Sequence, residues 1–349
     1  MKKRILILVS AVLVLVLLLG CAQAVVMPKY TDNPEGALIR EYYDSGFDHD
    51  VLFIGDCEVY ESFVPAVLWE EYGIRSYVRG SAQQLVWQSY YLLEETFRYE
   101  MPKTVVFNVL ALKYGTPQNE AYNRMTLDGM KWSASKWRSI RTSMTEDESM
   151  VEYLFPLLRF HSRMTSLTGD DFRYAFRDPA VSHNGYLMQT GIEPMVDEEV
   201  YVRGLSDYTL PETAMEYLDH IRTLCEKNGT ELILIKAPTN SWGYWWYDEW
   251  DAQIVDYVAK NDISYYNFIP ACEEIGINWQ TDTYDRGVHL NVYGAEKMTR
   301  YFGKLLCENH GYEAQAPERG SDPLWDACLK DYYEQKAQME NKTKKEKTT

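Results

Sequence analysis

The chain opens on Lys2, Lys3 and Arg4, followed by residues 5–19, which are apolar but for Ser10. A basic start before an apolar run of this length is the pattern of a secretory or membrane-directing segment. Further on, short apolar runs alternate with segments of helical period. Residues 50–55 and 104–109 read as buried strands, and 74–78, 231–236 and 263–268 as further strands. Residues 63–72, 83–99, 212–228, 251–261 and 294–309 read as helices, with Pro102 and Gly229 as stop signals. Strands apolar on both sides and alternating with helices predict an α/β fold, a parallel sheet with helices on both faces. In such sheets, sites gather at the carboxyl ends of the strands.

Residues 112–205 break this rhythm. They are polar and rich in Arg, Met and Ser, with helical stretches such as 150–158, and read as an insertion capping the strand ends. The expected organisation is a targeting segment over 1–27, a poorly structured tether over 28–48, one α/β domain over 49–312, and a C-terminal extension over 313–349. That extension is expected to be helical at most to Lys336, with a disordered basic tail.

Composition narrows the function classes. Hydrophobic residues make up 46% and charged residues 25%, which suits a folded chain and excludes a disordered one. The net charge of −17 argues against nucleic acid as a partner. The apolar run ends in Leu18-Leu19-Gly20-Cys21, similar to a lipobox, which would leave a lipid-modified Cys21 at the mature N-terminus. An uncleaved anchor and plain secretion are the other readings, since the apolar character continues to Met27. All three place the body outside the cytoplasm. The six cysteines form no CxxC pair, and the histidines lack metal-ligand spacing, so neither a metal nor a cofactor is expected.

Two segments carry candidate chemistry. Gly55-Asp56-Cys57-Glu58 follows the first strand, where a helix N-terminus would favour a thiolate or an oxyanion. Asp285-Arg286-Gly287-Val288-His289-Leu290-Asn291 precedes the last helix, and its short loop could fold Asp285 onto the imidazole and fix its tautomer. Glu58, Lys113 and Arg124 could also face a site there. The aromatic cluster Trp242, Tyr244, Trp245, Trp246, Tyr247 and Trp250 suits sugar rings, packing or a membrane interface.

Together, strand-Gly-Asp-Cys and Asp-x-x-x-His-Leu-Asn-x-x-Gly resemble the SGNH/GDSL hydrolase superfamily. The closer resemblance is to its membrane-anchored extracytoplasmic branch, which includes the D-alanyl transfer protein of lipoteichoic acid synthesis and alginate-type O-acetyltransferases. The resemblance covers roughly residues 50–310 and implies a three-layer α/β/α, flavodoxin-like fold. It implies Cys57 where the family has a nucleophilic Ser, His289 as base and Asp285 as its partner. Asp285 stands four residues before His289, where the family usually has three, and Asp282 stands seven before. By order along the chain it assigns Gly80 and Asn108 to the oxyanion hole. The implied function is hydrolysis or transfer of acyl esters on a cell-envelope polysaccharide or teichoic-type polymer, with a membrane-bound acyl-transfer partner. The alternatives are an inactive glycan-binding or assembly protein of the same fold, and a redox role for Cys57 with Cys225 or Cys272.

Overall fold

Along β1 (Val51–Gly55) the side chains alternate between two cores. Leu52 and Ile54 pack on one face of the sheet, Val51 and Phe53 on the other, and none of the four is exposed to solvent. A strand buried on both faces needs an apolar residue at every position, which is why the run carries no polar interruption. β2 (Ser76–Gly80), β3 (Thr104–Asn108), β4 (Glu231–Lys236) and β5 (Ser264–Asn267) complete the sheet. The order is β2-β1-β3-β4-β5 and every pairing is parallel. This is the three-layer, flavodoxin-like arrangement expected from the sequence. The computed structural model describes residues 2–195, 204–240, 246–318 and 320–346.

The helices Val86–Thr96, Glu212–Asn228 and Asp248–Asn261 cover one face, burying Leu92, Leu218, Ile221 and Ile254. The helices Cys57–Ser62, Pro65–Tyr72 and Val292–Asn309 cover the other, burying Val59, Leu68 and Phe302. Each such side chain contributes roughly 1.5–3 kcal/mol by leaving water. The strand order reverses between β1 and β3, and a crevice opens at the carboxyl ends of strands where that happens. Cys57 stands two residues past the end of β1, at that crevice.

Residues 28–48 differ from the expected tether. Leu38, Ile39, Tyr42 and Tyr43 are buried, the spacing of one helical face. The Tyr42 hydroxyl donates to Glu100 and the Tyr43 hydroxyl to Glu95, at 2.8 and 2.6 Å. The C-terminal extension also differs. A helix runs Pro323–Glu346, past the expected end at Lys336. Tyr332 is fully buried and donates to Glu296, and Tyr293 donates to Glu340, so packing carries the helix beyond the point where polarity alone would end it. Residues 347–349 of the expected tail lie outside the described residues.

The stretch 109–173 holds short helices and turns, from Val109–Lys113 to Gly169–Arg173. The helix expected over 150–158 is broken into Met150–Leu154 and Pro156–Phe160, because Pro156 keeps Phe155 out of the helical region. Residues 196–203 of the expected insertion lie outside the described residues. At the other end, one helix spans Lys2–Val26 without a break at Cys21. It is the one helix among the described residues long and apolar enough to cross a membrane.

Candidate active site

Cys57 is the first residue of its helix, and Asp56 before it is the N-cap, its carboxylate accepting the Glu58 N–H at 3.2 Å. The last strand-to-helix connection brings in the partner. An isolated antiparallel bridge between Thr283 and Leu290 closes a loop, and Arg286 and Gly287 turn it with φ of 63° and 93°. At Gly287 a side chain would be strained by that φ and would press on Asn240. The turn folds Asp285 back under His289: one carboxylate oxygen accepts the His289 backbone N–H at 2.8 Å, and the other lies 2.6 Å from Nδ1. The opposite ring nitrogen, Nε2, lies 3.1 Å from the Cys57 sulfur. Asn291, two residues on, caps the helix Val292–Asn309 by accepting from the Tyr293 and Gly294 N–H groups.

The structure therefore brings Cys57, His289 and Asp285 together across 232 residues of chain. Asp282 is elsewhere, paired with Lys297 at 2.6 Å. A fourth group joins the cluster that the sequence reading passed over. Glu61, one helical turn after Cys57, places Oε2 3.5 Å from His289 Nδ1, while its other oxygen accepts from the Tyr284 hydroxyl at 2.7 Å. The i, i+4 spacing from Cys57 was the available signal.

Burial pushes the Cys57 thiol up, against the pull of His289. Burial alone would lower His289, but the Cys57 sulfur, Glu61 and Asp285 outweigh it and raise the imidazole well above its usual value. The two directions belong to one shared proton: enclosure holds it on sulfur, and two carboxylates make the nitrogen a better acceptor. Glu61 is itself pushed up to about 7, by burial and despite His289. Such a group can pass a proton from sulfur to nitrogen and expose a thiolate for attack on a carbonyl carbon.

Asn108 and Gly80 are not placed as the sequence expected. Asn108 is 1% exposed, and its amide N–H groups donate to Asp56 and Glu58 at 3.1 and 2.9 Å. Its carbonyl oxygen accepts the Ala237 N–H at 3.1 Å, so the whole amide is committed to holding three strand ends together. Gly80 pairs with Gly55, and a Cβ there would sit 2.9 Å from the Gly55 carbonyl oxygen. Sheet packing, not substrate approach, excludes a side chain. Beneath Cys57, Lys236 reaches both oxygens of Glu58, at 2.8 and 2.7 Å, fully buried. Burial and Glu58 push the neighbouring Asp56 up to about 6, against Lys236 and Asn108.

The thiol and imidazole line a cavity of about 560 Å³ together with Tyr60, Glu61, Tyr122 and Tyr284. Ala82 and Gln83 form part of its wall, with Gln83 in the left-handed region at φ 49°. A cavity of about 550 Å³ opens at the opposite edge of the sheet, by Asp50, Thr104 and Glu231, and no cysteine lines it. Neither Gly80 nor Asn108 lines the site cavity, and Arg124 is held by Glu120 and Asp128 instead. Burial lowers Lys113 to about 8, with Glu58 and Asp56 opposing. Of the aromatic cluster, Trp246 and Trp250 are buried in the core, while Trp242, Tyr244 and Trp245 lie outside the described residues. All six cysteines are free thiols, and Cys225 is buried on the other face of the sheet from Cys57.

No protein-family model matches the chain, and no curated protein matches it in sequence. Among solved structures, it is similar to a Bacteroides fragilis protein provisionally described as an acylhydrolase, with a TM-score of 0.38 and 11% identity over 78% of this chain and 97% of that one. It is also similar to a gut microbial diltiazem-metabolizing enzyme, with a TM-score of 0.25 and 13% identity over 76% of this chain and 47% of that one. Scores this low carry no argument about function, which rests on the side chains themselves.

Proposed function

We propose that the chain is a membrane-attached, extracytoplasmic ester hydrolase or acyltransferase of SGNH type that works through a thiol. The observation that carries this reading is the continuous relay Cys57 Sγ–His289 Nε2, 3.1 Å, and His289 Nδ1–Asp285 Oδ2, 2.6 Å. The Cys57 proton passes to Nε2, and the thiolate attacks the acyl carbonyl carbon. The tetrahedral adduct collapses, and the departing alkoxide takes the proton from Nε2, leaving a thioester. Water or a sugar hydroxyl then gives its proton to Nε2, attacks the thioester, and returns a protonated thiol. Asp285 holds the imidazole in register and offsets its charge. Oxyanion binding falls to the Cys57 N–H and the Ala82–Gln83 loop, whose strained backbone lines the cavity where the family uses a Gly and an Asn.

Acyl esters of a cell-envelope glycan or teichoic polymer are the substrate class. Tyr60, Tyr114, Tyr122 and Tyr284 line the cavity, and phenol rings stack on sugars while their hydroxyls bond them. Residues 114–125, from the inserted stretch, act as the cap over this pocket. Attachment is through the N-terminal segment, as a span or as lipid on Cys21, and a membrane-bound partner supplies the acyl group where transfer is the reaction. The test is acetate release from O-acetylated cell-wall polysaccharide by the purified full chain, beside Cys57→Ala. Release by the wild type alone supports the reading; equal release, or none by either, contradicts it.

A second reading, an inactive glycan-binding protein, is favoured by one feature: burial pushes the Cys57 thiol up, which opposes formation of the thiolate. Iodoacetamide separates the two, since an activated Cys57 alkylates ahead of partly exposed Cys307 and a silent one does not.

A further inference from the structure

The foot of the N-terminal helix is bolted to the body. The Val26 carbonyl accepts from Arg163 at 2.5 Å, and Lys29 reaches the Ala24 and Met27 carbonyls at 2.5 and 2.7 Å. These are orphan carbonyls of a helix end, and cations suit them. Arg163 is held in turn by Asp171 at 2.7 Å, and Asp171 accepts the Thr168 N–H at 2.8 Å. The stretch Pro156–Arg173 therefore sits at a fixed position beside a helix whose apolar side chains are exposed from Ile5 to Leu19 and become buried only at its foot, Val26.

That stretch and its flanks are unusually apolar on the outside. Beyond the N-terminal helix, the described residues expose sixteen large apolar side chains, and seven of them fall between 151 and 176. Phe172 is 62% exposed and Phe176 79%, with Phe155, Leu158 and Met164 beside them in sequence. Four arginines are interleaved with them: Arg159 and Arg163 are tied to Glu120 and Asp171, while Arg173 and Arg177 are exposed beside Phe172 and Phe176, in a chain whose net charge is −17. Large apolar side chains alternating with arginine are the composition of a segment lying at a bilayer surface: the rings enter the acyl boundary and guanidinium groups stay at the anionic headgroups.

We propose that residues 151–177 are a second membrane contact, lying in the bilayer interface next to the N-terminal helix. The occupant of this apolar face is lipid, because the helix seated against it is itself a candidate span. The inference rests on the reading of the N-terminal segment as a membrane attachment. Its consequence concerns the site. Asn33 and Glu35 line the reaction cavity only seven and nine residues after Val26, so the cavity wall is within roughly 30 Å of the helix foot. Acyl chemistry is then held at the membrane surface rather than free in the envelope.

The test places a photoreactive benzoylphenylalanine at Phe176, Leu13 or Leu324 of the full chain in phosphatidylcholine–phosphatidylglycerol vesicles. Leu324 is 57% exposed on the C-terminal helix, which packs on the helix Pro65–Tyr72 rather than on the 156–173 stretch, and serves as control. Lipid adducts at Phe176 and Leu13 but not Leu324 are expected. An adduct at Leu13 without one at Phe176 overturns the second contact and leaves the anchor standing. An adduct at Phe176 without one at Leu13 supports the contact and removes the uncleaved span. Adducts at neither position, or at all three, overturn it.

Discussion

Glu61 Oε2 lies 3.5 Å from His289 Nδ1, so the imidazole shares one edge with two carboxyl groups, the nearer being Asp285 at 2.6 Å. Burial pushes Glu61 up to about 7, and below that pH it is neutral and adds no field. Above it, the carboxylate supports the imidazolium that forms when the Cys57 proton moves. Glu61→Gln should therefore lower kcat/KM for p-nitrophenyl acetate on the order of tenfold about one unit above that value, and little one unit below. A loss of equal size across the whole pH profile would show that Glu61 acts only by packing.

Asn108 joins β3 to Asp56, Glu58 and Ala237 through all its amide hydrogen bonds. Asn108→Ala leaves buried partners unsatisfied and should cost about 2–4 kcal/mol of stability in urea unfolding. The fraction that stays folded should keep kcat within roughly tenfold, whereas loss of an oxyanion donor costs 100-fold or more. A hundredfold fall in kcat with unchanged unfolding would restore Asn108 to the oxyanion hole.

Lys236 and Glu58 form a fully buried pair beneath Cys57. Removing one partner strands the other charge, so Lys236→Met should destabilise by about 3–5 kcal/mol. Adding Glu58→Gln removes the stranded charge and should recover a measurable part in the same unfolding assay. A double variant less stable than the single would contradict this arrangement.

Stability should also carry a pH signature at Glu41, which accepts from the Val181 N–H, the Ser182 N–H and the Ser182 hydroxyl. Burial pushes it up from 4.5 to about 7. A raised carboxyl stabilises fully below its unfolded value and loses that contribution as pH rises through the folded one. Glu41→Gln should raise Tm relative to the wild type above neutrality, by at most about 3 kcal/mol in free energy. The gain should vanish near pH 5, and a gain independent of pH would count against the titration.

The strands and the turn that folds Asp285 onto His289 were legible because each depends on local pattern, whereas the approach of His289 to Cys57, 232 residues away, was suggested only by the resemblance of the two motifs. Leu52-Phe53-Ile54 can only be a strand buried on both faces, and a Gly-turned loop beside Asp285 and His289 has few ways to fold. What escaped depends on partners distant in the chain. Tyr42 looks like part of a polar linker until Glu100 accepts its hydroxyl, and Tyr332 like part of a solvated tail until Glu296 does. Asn108 was assigned by order along the chain, which cannot tell a side chain facing the cavity from one tied back to Asp56 and Ala237. Lys236, ending an apolar strand, was a visible anomaly whose meaning required Glu58.

The relay from sulfur to imidazole is tested most directly by mass spectrometry of the full chain after brief exposure to p-nitrophenyl acetate, followed by peptide mapping. The expected result is one acetyl group on Cys57, removed by hydroxylamine, absent in Cys57→Ala and formed far more slowly in His289→Ala. Acetylation spread evenly over the thiols, none at Cys57, or labelling of His289→Ala at the wild-type rate would contradict it.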